Sequence, residues 1–344
     1  MERVKLGMVG LNFGSKIIQR LQKGPGSQYV EVVAVCDVNK ERADKAAADF
    51  GLKAYDHLDE MLQDPEIRAV GLFTGPVGRA ELIRKIIQHG KDVLTTKPFE
   101  LNPDATLAVF EEAQRLGRII HLNSPSPVYS PDLLKIQEWV EKYQLGRVIS
   151  CRCDSWSSYR EKPDGSWYDD PERCPAAPIF RIGIYLINDL VRLIGPAAQV
   201  NLLQSRIFTE RPTVDNAQLG IVFKNGAIGN VYASFCTKDG DYYKDSLVLN
   251  FENGSIYRNC GPGIKLNSET MTARLELKTY RDGEHIMDEA VVEEHSGEYQ
   301  WDVFCRAVNG EAIPGQVLPE QIAEGIRVIA AMSKAIKNGG VATV

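Results

Sequence analysis

Val4-Lys5-Leu6-Gly7-Met8-Val9-Gly10-Leu11-Asn12-Phe13-Gly14-Ser15 runs from an apolar strand through a glycine turn into the start of a helix. The turn, Gly10 to Ser15, is a degraded form of the G-x-G-x-x-G dinucleotide fingerprint. There the first glycine makes the tight turn, the second lets the backbone approach a pyrophosphate, and the third lets helix and strand pack closely. Asn12 holds the second place and Ser15 the third; both are small, and Asn visits left-handed backbone more readily than most residues. The helix N-terminus that follows is an anion site. Taken alone, the hexapeptide reads equally as an ordinary glycine-containing βα turn.

Outward from this turn, residues 1–122 alternate short apolar runs with helical patterns, the signature of βαβ units feeding a parallel sheet. Strands are expected at Val4 to Val9, Val30 to Cys36, Ala69 to Phe73, Asp92 to Thr95 and Arg118 to Leu122, with helices such as Ala80 to His89 between them. Asn102 before Pro103, and Gly117 further on, read as the two ends of another helix. The second strand ends in Asp37. A carboxylate there would accept both hydroxyls of an adenosine ribose and repel the extra phosphate of NADP, which makes NAD the expected cofactor. Asp37 stands further from Gly10 than the usual ~20 positions, and Gly24-Pro25-Gly26-Ser27 accounts for the excess as a longer loop. Its other reading is a strand-end helix cap.

After residue 123, Pro125, Pro127 and Pro131 mark a crossing between domains. A helix from about Asp132 to Tyr143 precedes strand-like runs at Val148 to Ser155, Val200 to Phe208, Ala217 to Phe223, Ile228 to Phe235, Ser246 to Phe251 and Leu275 to Tyr280, and a closing helix covers about Pro319 to Ile336. The fold class expected is therefore α/β. An N-terminal Rossmann dinucleotide-binding domain, residues 1–122, precedes a C-terminal α+β domain, residues 123–344, for substrate binding and oligomerisation. The second domain has a large, mostly antiparallel open sheet, with one face packed on helices and the other free to pair as a homodimer or homotetramer.

Composition narrows the partners. The 344 residues are 44% hydrophobic and 25% charged, as in globular enzymes. No stretch reaches the ~18 uninterrupted apolar residues of a membrane helix, and the N-terminus enters a strand without room for a secretion signal, so a cytoplasmic protein is expected. A formal net charge of −6 without a concentrated basic run argues against nucleic acid. Seven cysteines make no disulfide framework, and none of the five histidines shows ligand spacing, so no metal is implied.

Phe73-Thr74-Gly75-Pro76, followed by Gly90-Lys91-Asp92-Val93-Leu94-Thr95-Thr96-Lys97-Pro98, resembles the glucose-fructose oxidoreductase / inositol dehydrogenase (Gfo/Idh/MocA) family. That family shows T-P-x-x-x-H and then A-G-K-H-V-x-x-E-K-P. Here Gly75 replaces a proline, Arg79 stands at the common histidine and Thr96 replaces the glutamate, while Gly90, Lys91, Lys97 and Pro98 agree. In the second domain Arg181-Ile182-Gly183-Ile184-Tyr185-Leu186-Ile187-Asn188 resembles the family's D-x-G-x-H-x-x-D helix, with Tyr185 at the histidine. The G-I-Y-x-x-N variant is similar to the branch in which tyrosine takes the acid/base place. Arg181 at the aspartate is the departure.

The resemblance implies a site. Lys97 and Tyr185 would be catalytic, with Lys97 beside the nicotinamide, orienting the alcohol and tuning the tyrosine. Tyrosine's ordinary pKa of about 10 is too high for a base at pH 7, and nearby cations lower it. Gly10, Asn12, Phe13, Gly14, Asp37, Thr74, Pro76, Lys97 and Asn123 would hold NAD. Substrate would meet Lys97, Tyr185, Asn188, Arg181, and Trp156 and Trp167 of the long loop Trp156 to Pro178. The bland readings remain beside these: a solvated Lys97, a core Tyr185, a loop pinned by its tryptophans, and an Arg181 that turns outward or pairs with an acid of that loop such as Asp169, Asp170 or Glu172. If no protein acid completes Arg181, an anionic sugar would. His121 reads as a packed strand histidine and Asp189 as solvated.

The function implied is NAD-dependent hydride transfer at a hydroxyl of a sugar, sugar acid, cyclitol or related polyol. A glycoside-processing enzyme with transient oxidation and a non-catalytic NAD/sugar-binding protein are the alternatives. Net NADH production separates the first two, and absence of cofactor binding would favour the third.

Overall fold

In the computed structural model, residues 2–240, 243–261, 272–293 and 297–344 are described. They form two compact units, Met1–Val128 with Gly297–Pro319, and Tyr129–Ser296 with Glu320–Val344.

The first unit begins β1 Val4–Val9, α1 Leu11–Lys23, β2 Val30–Cys36, α2 Lys40–Phe50, β3 Lys53–Tyr55 and α3 Leu58–Gln63. It continues through β4 Ala69–Leu72, α4 Arg79–Gln88, β5 Asp92–Thr95, α5 Pro103–Leu116 and β6 Ile120–Leu122. All its strand pairings are parallel, in the order β3-β2-β1-β4-β5-β6, the doubly wound arrangement in which ligands sit where the order reverses, outside the carboxyl ends of β1 and β4. The strands are buried on both faces and so read as continuous apolar runs. Asn102 and Gly117 cap α5 as anticipated: Asn102 Oδ1 accepts the Asp104 and Ala105 amides, and Gly117 turns left-handed at φ 63°.

The chain returns to this unit at Gly297–Pro319, inside the span 123–344 expected for the second domain. Tyr299 and Phe304 join the core of β1, β2 and α1, and Trp301 packs against it. Residues 123–128 also belong here rather than beyond a boundary at 122.

The second unit runs through α6 Pro131–Lys142, β7 Val148–Trp156, α7 Ile184–Ile194, β8 Ala197–Ser205, β9 Asn216–Phe223 and β10 Ile228–Ser234. Then come β11 Lys244–Phe251, β12 Gly254–Arg258, β13 Thr272–Arg281 and β14 Glu284–Glu293. Helix α8 Trp301–Val308 lies in the returning segment, and α9 Pro319–Lys337 and β15 Val341–Thr343 end the chain. The sheet is β14-β13-β12-β11-β7-β10-β9-β8-β15, antiparallel except for the pair β10·β7. One face is buried. The other alternates polar residues with exposed Leu203, Val222, Ile228 and Val341.

Strand β8 stops at Ser205, short of the expected Phe208, because the amides of Ile207, Phe208 and Thr209 turn to the Asp215 carboxylate at 2.6–2.8 Å instead of a neighbouring strand. Strands β3, β12, β14 and β15 lie outside the expected runs. All seven cysteines are free thiols. Among the described residues no helix is long and apolar enough to cross a membrane.

Candidate functional site

The loops that leave the carboxyl ends of β1, β2, β4, β5 and β6 carry the predicted cofactor residues. Gly10 follows β1 with φ 85°, and a Cβ there would lie 2.8–2.9 Å from the backbone of Phe73 and Thr74, so only glycine fits. Asn12 and Phe13 stand in the first turn of α1, whose amides have no acceptors within the helix and which contains no acidic side chain. Asn12 is helical, so its tolerance of left-handed backbone is not used. Gly14 takes the close-packing role, since a Cβ there would meet Met8 at 3.3 Å and Leu11 and Phe73 at 3.7 Å.

Asp37 is buried at the end of β2. One carboxylate oxygen accepts the Leu11 amide at 2.8 Å and the other the Asn39 amide at 2.9 Å, while Arg42 Nη1 lies 3.3 Å away. A carboxylate has about four acceptor positions, so the cap and a ribose partner are compatible roles. Thr74 and Pro76 follow β4. Thr74 Oγ1 is buried with no hydrogen-bond partner among the described residues, an orphan that a bound dinucleotide would satisfy. These residues fit the cofactor.

Lys97 follows β5, and its backbone N–H donates to Asn123 Oδ1 at 3.1 Å. Asn123, just past β6, donates from Nδ2 to the Gly297 carbonyl at 3.0 Å. Its amide therefore ties the Lys97 turn to the returning segment. His121 is packed as expected: Nε2 lies 2.6 Å from the Tyr299 carbonyl, the ring sits tilted against Phe304 with centroids 5.1 Å apart, and burial lowers its pKa to about 4.

In the second unit Tyr185 lies in the first turn of α7, half-buried. A π-helical turn, Ile179–Gly183, leads into it; such bulges recur at functional sites. Gly183 lets that turn lie on β10, where a Cβ would meet Val231 and Ala233 at 3.3–3.4 Å. Asn188 is buried with its Oδ1 against Gly325 of α9.

Arg181 has a protein acid as partner. Its guanidinium forms a two-point pair with Glu161 at 2.6 and 2.9 Å and lies over the rings of Tyr168, Phe235 and Tyr159 at 4.1, 4.8 and 5.3 Å. The partner is an acid of the long loop, as the pairing reading has it, but it is Glu161 in place of the examples Asp169, Asp170 and Glu172. Arg211, unremarked in the sequence, bridges Glu161, Asp164 and Asp169. Burial pushes the Glu161 carboxyl up, but Arg181 and Arg211 outweigh it and hold it below the ordinary range. Trp167 stacks on Tyr168 at 4.1 Å and edges onto Phe180 at 6.0 Å, whereas Trp156 donates from Nε1 to Asp239 at 2.8 Å. The loop is thus pinned by two arginines as well as by Trp167.

Residues 4–124 match the family model described as an oxidoreductase family with an NAD-binding Rossmann fold, and residues 133–257 match the Gfo/Idh/MocA C-terminal domain. The chain belongs to the Gfo/Idh/MocA family. It is 25% identical to inositol 2-dehydrogenase/D-chiro-inositol 3-dehydrogenase of Lactiplantibacillus plantarum, over 59% of each chain. It is also 25% identical to D-xylose 1-dehydrogenase (NADP(+)) 2 of Haloferax volcanii, over 90% of each. Among solved structures, levoglucosan dehydrogenase in complex with NADH and levoglucosan superposes with a TM-score of 0.73 at 17% identity, covering 100% of this chain and 99% of that one. The chain spans less than two thirds of the inositol dehydrogenase.

Against the Gfo/Idh/MocA pattern, one departure acquires a structural role that sequence reading missed: Arg79, at the histidine place, is fully buried in the first unit.

Proposed function

We propose that this chain is a cytoplasmic NAD-dependent dehydrogenase that oxidises or reduces a hydroxyl of a neutral sugar, cyclitol or related polyol. The observation that carries the reading is that Gly10, Asp37, Thr74, Lys97 and Asn123 each follow the carboxyl end of a strand in one parallel sheet. Gly10, Asn12, Phe13, Gly14, Asp37, Thr74 and Pro76 would hold NAD, which when bound supplies the hydride acceptor. The Tyr185 phenolate takes the hydroxyl proton on oxidation, becoming the phenol that returns it on reduction, and the Lys97 ammonium orients the hydroxyl oxygen. The Glu161–Arg181 pair supports the neutral substrate, because a guanidinium already held at two points does not need a substrate carboxylate.

A cofactor-reduction screen across neutral sugars, cyclitols, glycosides and sugar acids tests this. Net NADH formation with a neutral polyol is expected. Preference for a sugar acid would overturn the substrate class, and no turnover of any polyol would overturn the activity.

NAD should bind more tightly than NADP. An uncompensated like-charge contact costs several kcal/mol, and Arg42 beside Asp37 offsets part of it, so a preference of about tenfold, ~1.4 kcal/mol, is expected. Titrations of both cofactors into the wild type and Asp37→Ala check it. The gap should close in the variant, and equal or tighter NADP binding by the wild type would sink the assignment of Asp37.

A further inference from the structure

Arg79 opens α4, and its guanidinium is buried beneath two loops of the candidate site. Nη1 donates to the carbonyls of Thr96 at 2.5 Å, of Phe99 at 3.3 Å and, in a shorter contact, of Pro98. Nη2 donates to the Thr74 carbonyl. The loop answers in the other direction: the buried Glu100 carboxylate accepts the Ala80 amide at 2.9 Å through Oε2 and the Leu101 amide at 2.8 Å through Oε1. The start of α4 and the segment 96–101 thus hold each other by two charged side chains, with Lys97 between two of the carbonyls that Arg79 grips.

We infer that Arg79 and Glu100 form a clasp that positions Lys97 for the reaction. A guanidinium suits the task because its donors are fixed in one plane and reach several carbonyls at once, whereas a lysine ammonium is a single point on a flexible stem. Lys97 is also tied at its own N–H by Asn123, so its backbone is gripped on both sides. The inference rests on Lys97 acting as proposed above. Arg79 and Glu100 are positioning residues, acting through the placement of the Lys97 turn.

A displacement of about 1 Å in a reacting group can cost on the order of 100-fold in rate. Arg79→Lys and Glu100→Gln should therefore lower kcat by roughly 10- to 100-fold and raise the substrate KM in the same direction as Lys97→Ala, with the NAD dissociation constant changed less than about threefold. Both variants keep a polar group at the buried place, so one is expected to fold if the other does not; the unfolding midpoint is measured for each. The decisive comparison is a cycle with Lys97→Ala. If the clasp acts through Lys97, adding Arg79→Lys to Lys97→Ala causes little further loss, because coupled residues are not additive. Independent, multiplying losses would overturn the clasp, as would wild-type kcat in a folded Arg79→Lys and Glu100→Gln pair, or a kcat loss that follows only the folded fraction. Near-normal activity of Lys97→Ala itself would instead defeat the assignment of Lys97, and the two failures are told apart by that single variant.

Discussion

Lys97→Ala and Tyr185→Phe are each expected to lower turnover by roughly 100- to 10,000-fold, the range lost when a positioned acid or base is removed. NAD affinity should be nearly unchanged in Tyr185→Phe, because Tyr185 is not among the residues proposed to hold NAD. The two substitutions should also differ in kind. Tyr185→Phe deletes one oxygen from a half-buried ring and leaves the packing of α7 intact, so KM should move little while kcat falls. Lys97→Ala removes a charge that orients the alcohol in ground state and transition state alike, so KM should rise as kcat falls. Steady-state kinetics with the best polyol from the screen, with NAD titration of each variant, measures both. Near-normal turnover in Tyr185→Phe would transfer proton transfer to another group.

What was legible in the sequence was whatever depends on local backbone. Gly10 had to be glycine because of its positive φ and its approach to Phe73, and a turn between strand and helix shows that on one line. The caps of α5 and the alternation of β9 are likewise properties of neighbouring residues. Features that join distant segments were not legible. The return of residues 297–319 rests on Tyr299 and Phe304 fitting the core of β1, and two aromatics in a row of mixed residues fit any core. Strand β14 carries Glu284, Asp288, Glu289 and Glu293, a charged edge that hides its period-two pattern. Arg181 finds Glu161 twenty positions away because two rings and Arg211 hold the loop there, and spacing along the chain does not encode that. The family motif still located the turn carrying Lys97, because its lysine and proline stand side by side in the chain; the arginine beneath them comes from another helix.

Asp189, expected to be solvated, belongs to such a long-range group. Its side chain is only 14% exposed and lies 3.2 Å from Arg258 Nη1, which also holds Asp132 at 2.7 Å, while Nη2 holds Asp245 at 2.8 Å. One buried guanidinium thus joins α6, α7, β11 and β12. Removing it would leave three carboxylates in the interior, and breaking a buried pair from one side costs about 3–5 kcal/mol; Arg258→Met is expected to lose that much in denaturant unfolding. The cluster also has a pH signature. Burial, with the charges of Asp132 and Asp245 added, raises the Asp189 pKa to about 7 against the opposing pull of Arg258, and burial raises Asp245 as well. Above about pH 4 the unfolded chain has released the Asp189 proton, while the folded protein keeps it until about pH 7. Unfolding therefore releases a proton across that window, and this site's contribution to stability falls as pH rises through it. Asp189→Asn removes the titration while keeping a neutral side chain of the same shape. At pH 5, about one unit above the unfolded pKa, the variant should already be the more stable by about 1.5 kcal/mol, and at pH 8 by about 4 kcal/mol. Histidines and other groups titrating in the same range cancel in the difference between the two proteins. A difference that stays constant from pH 5 to pH 8 would show that Asp189 is ionised throughout, held by Arg258 at full charge.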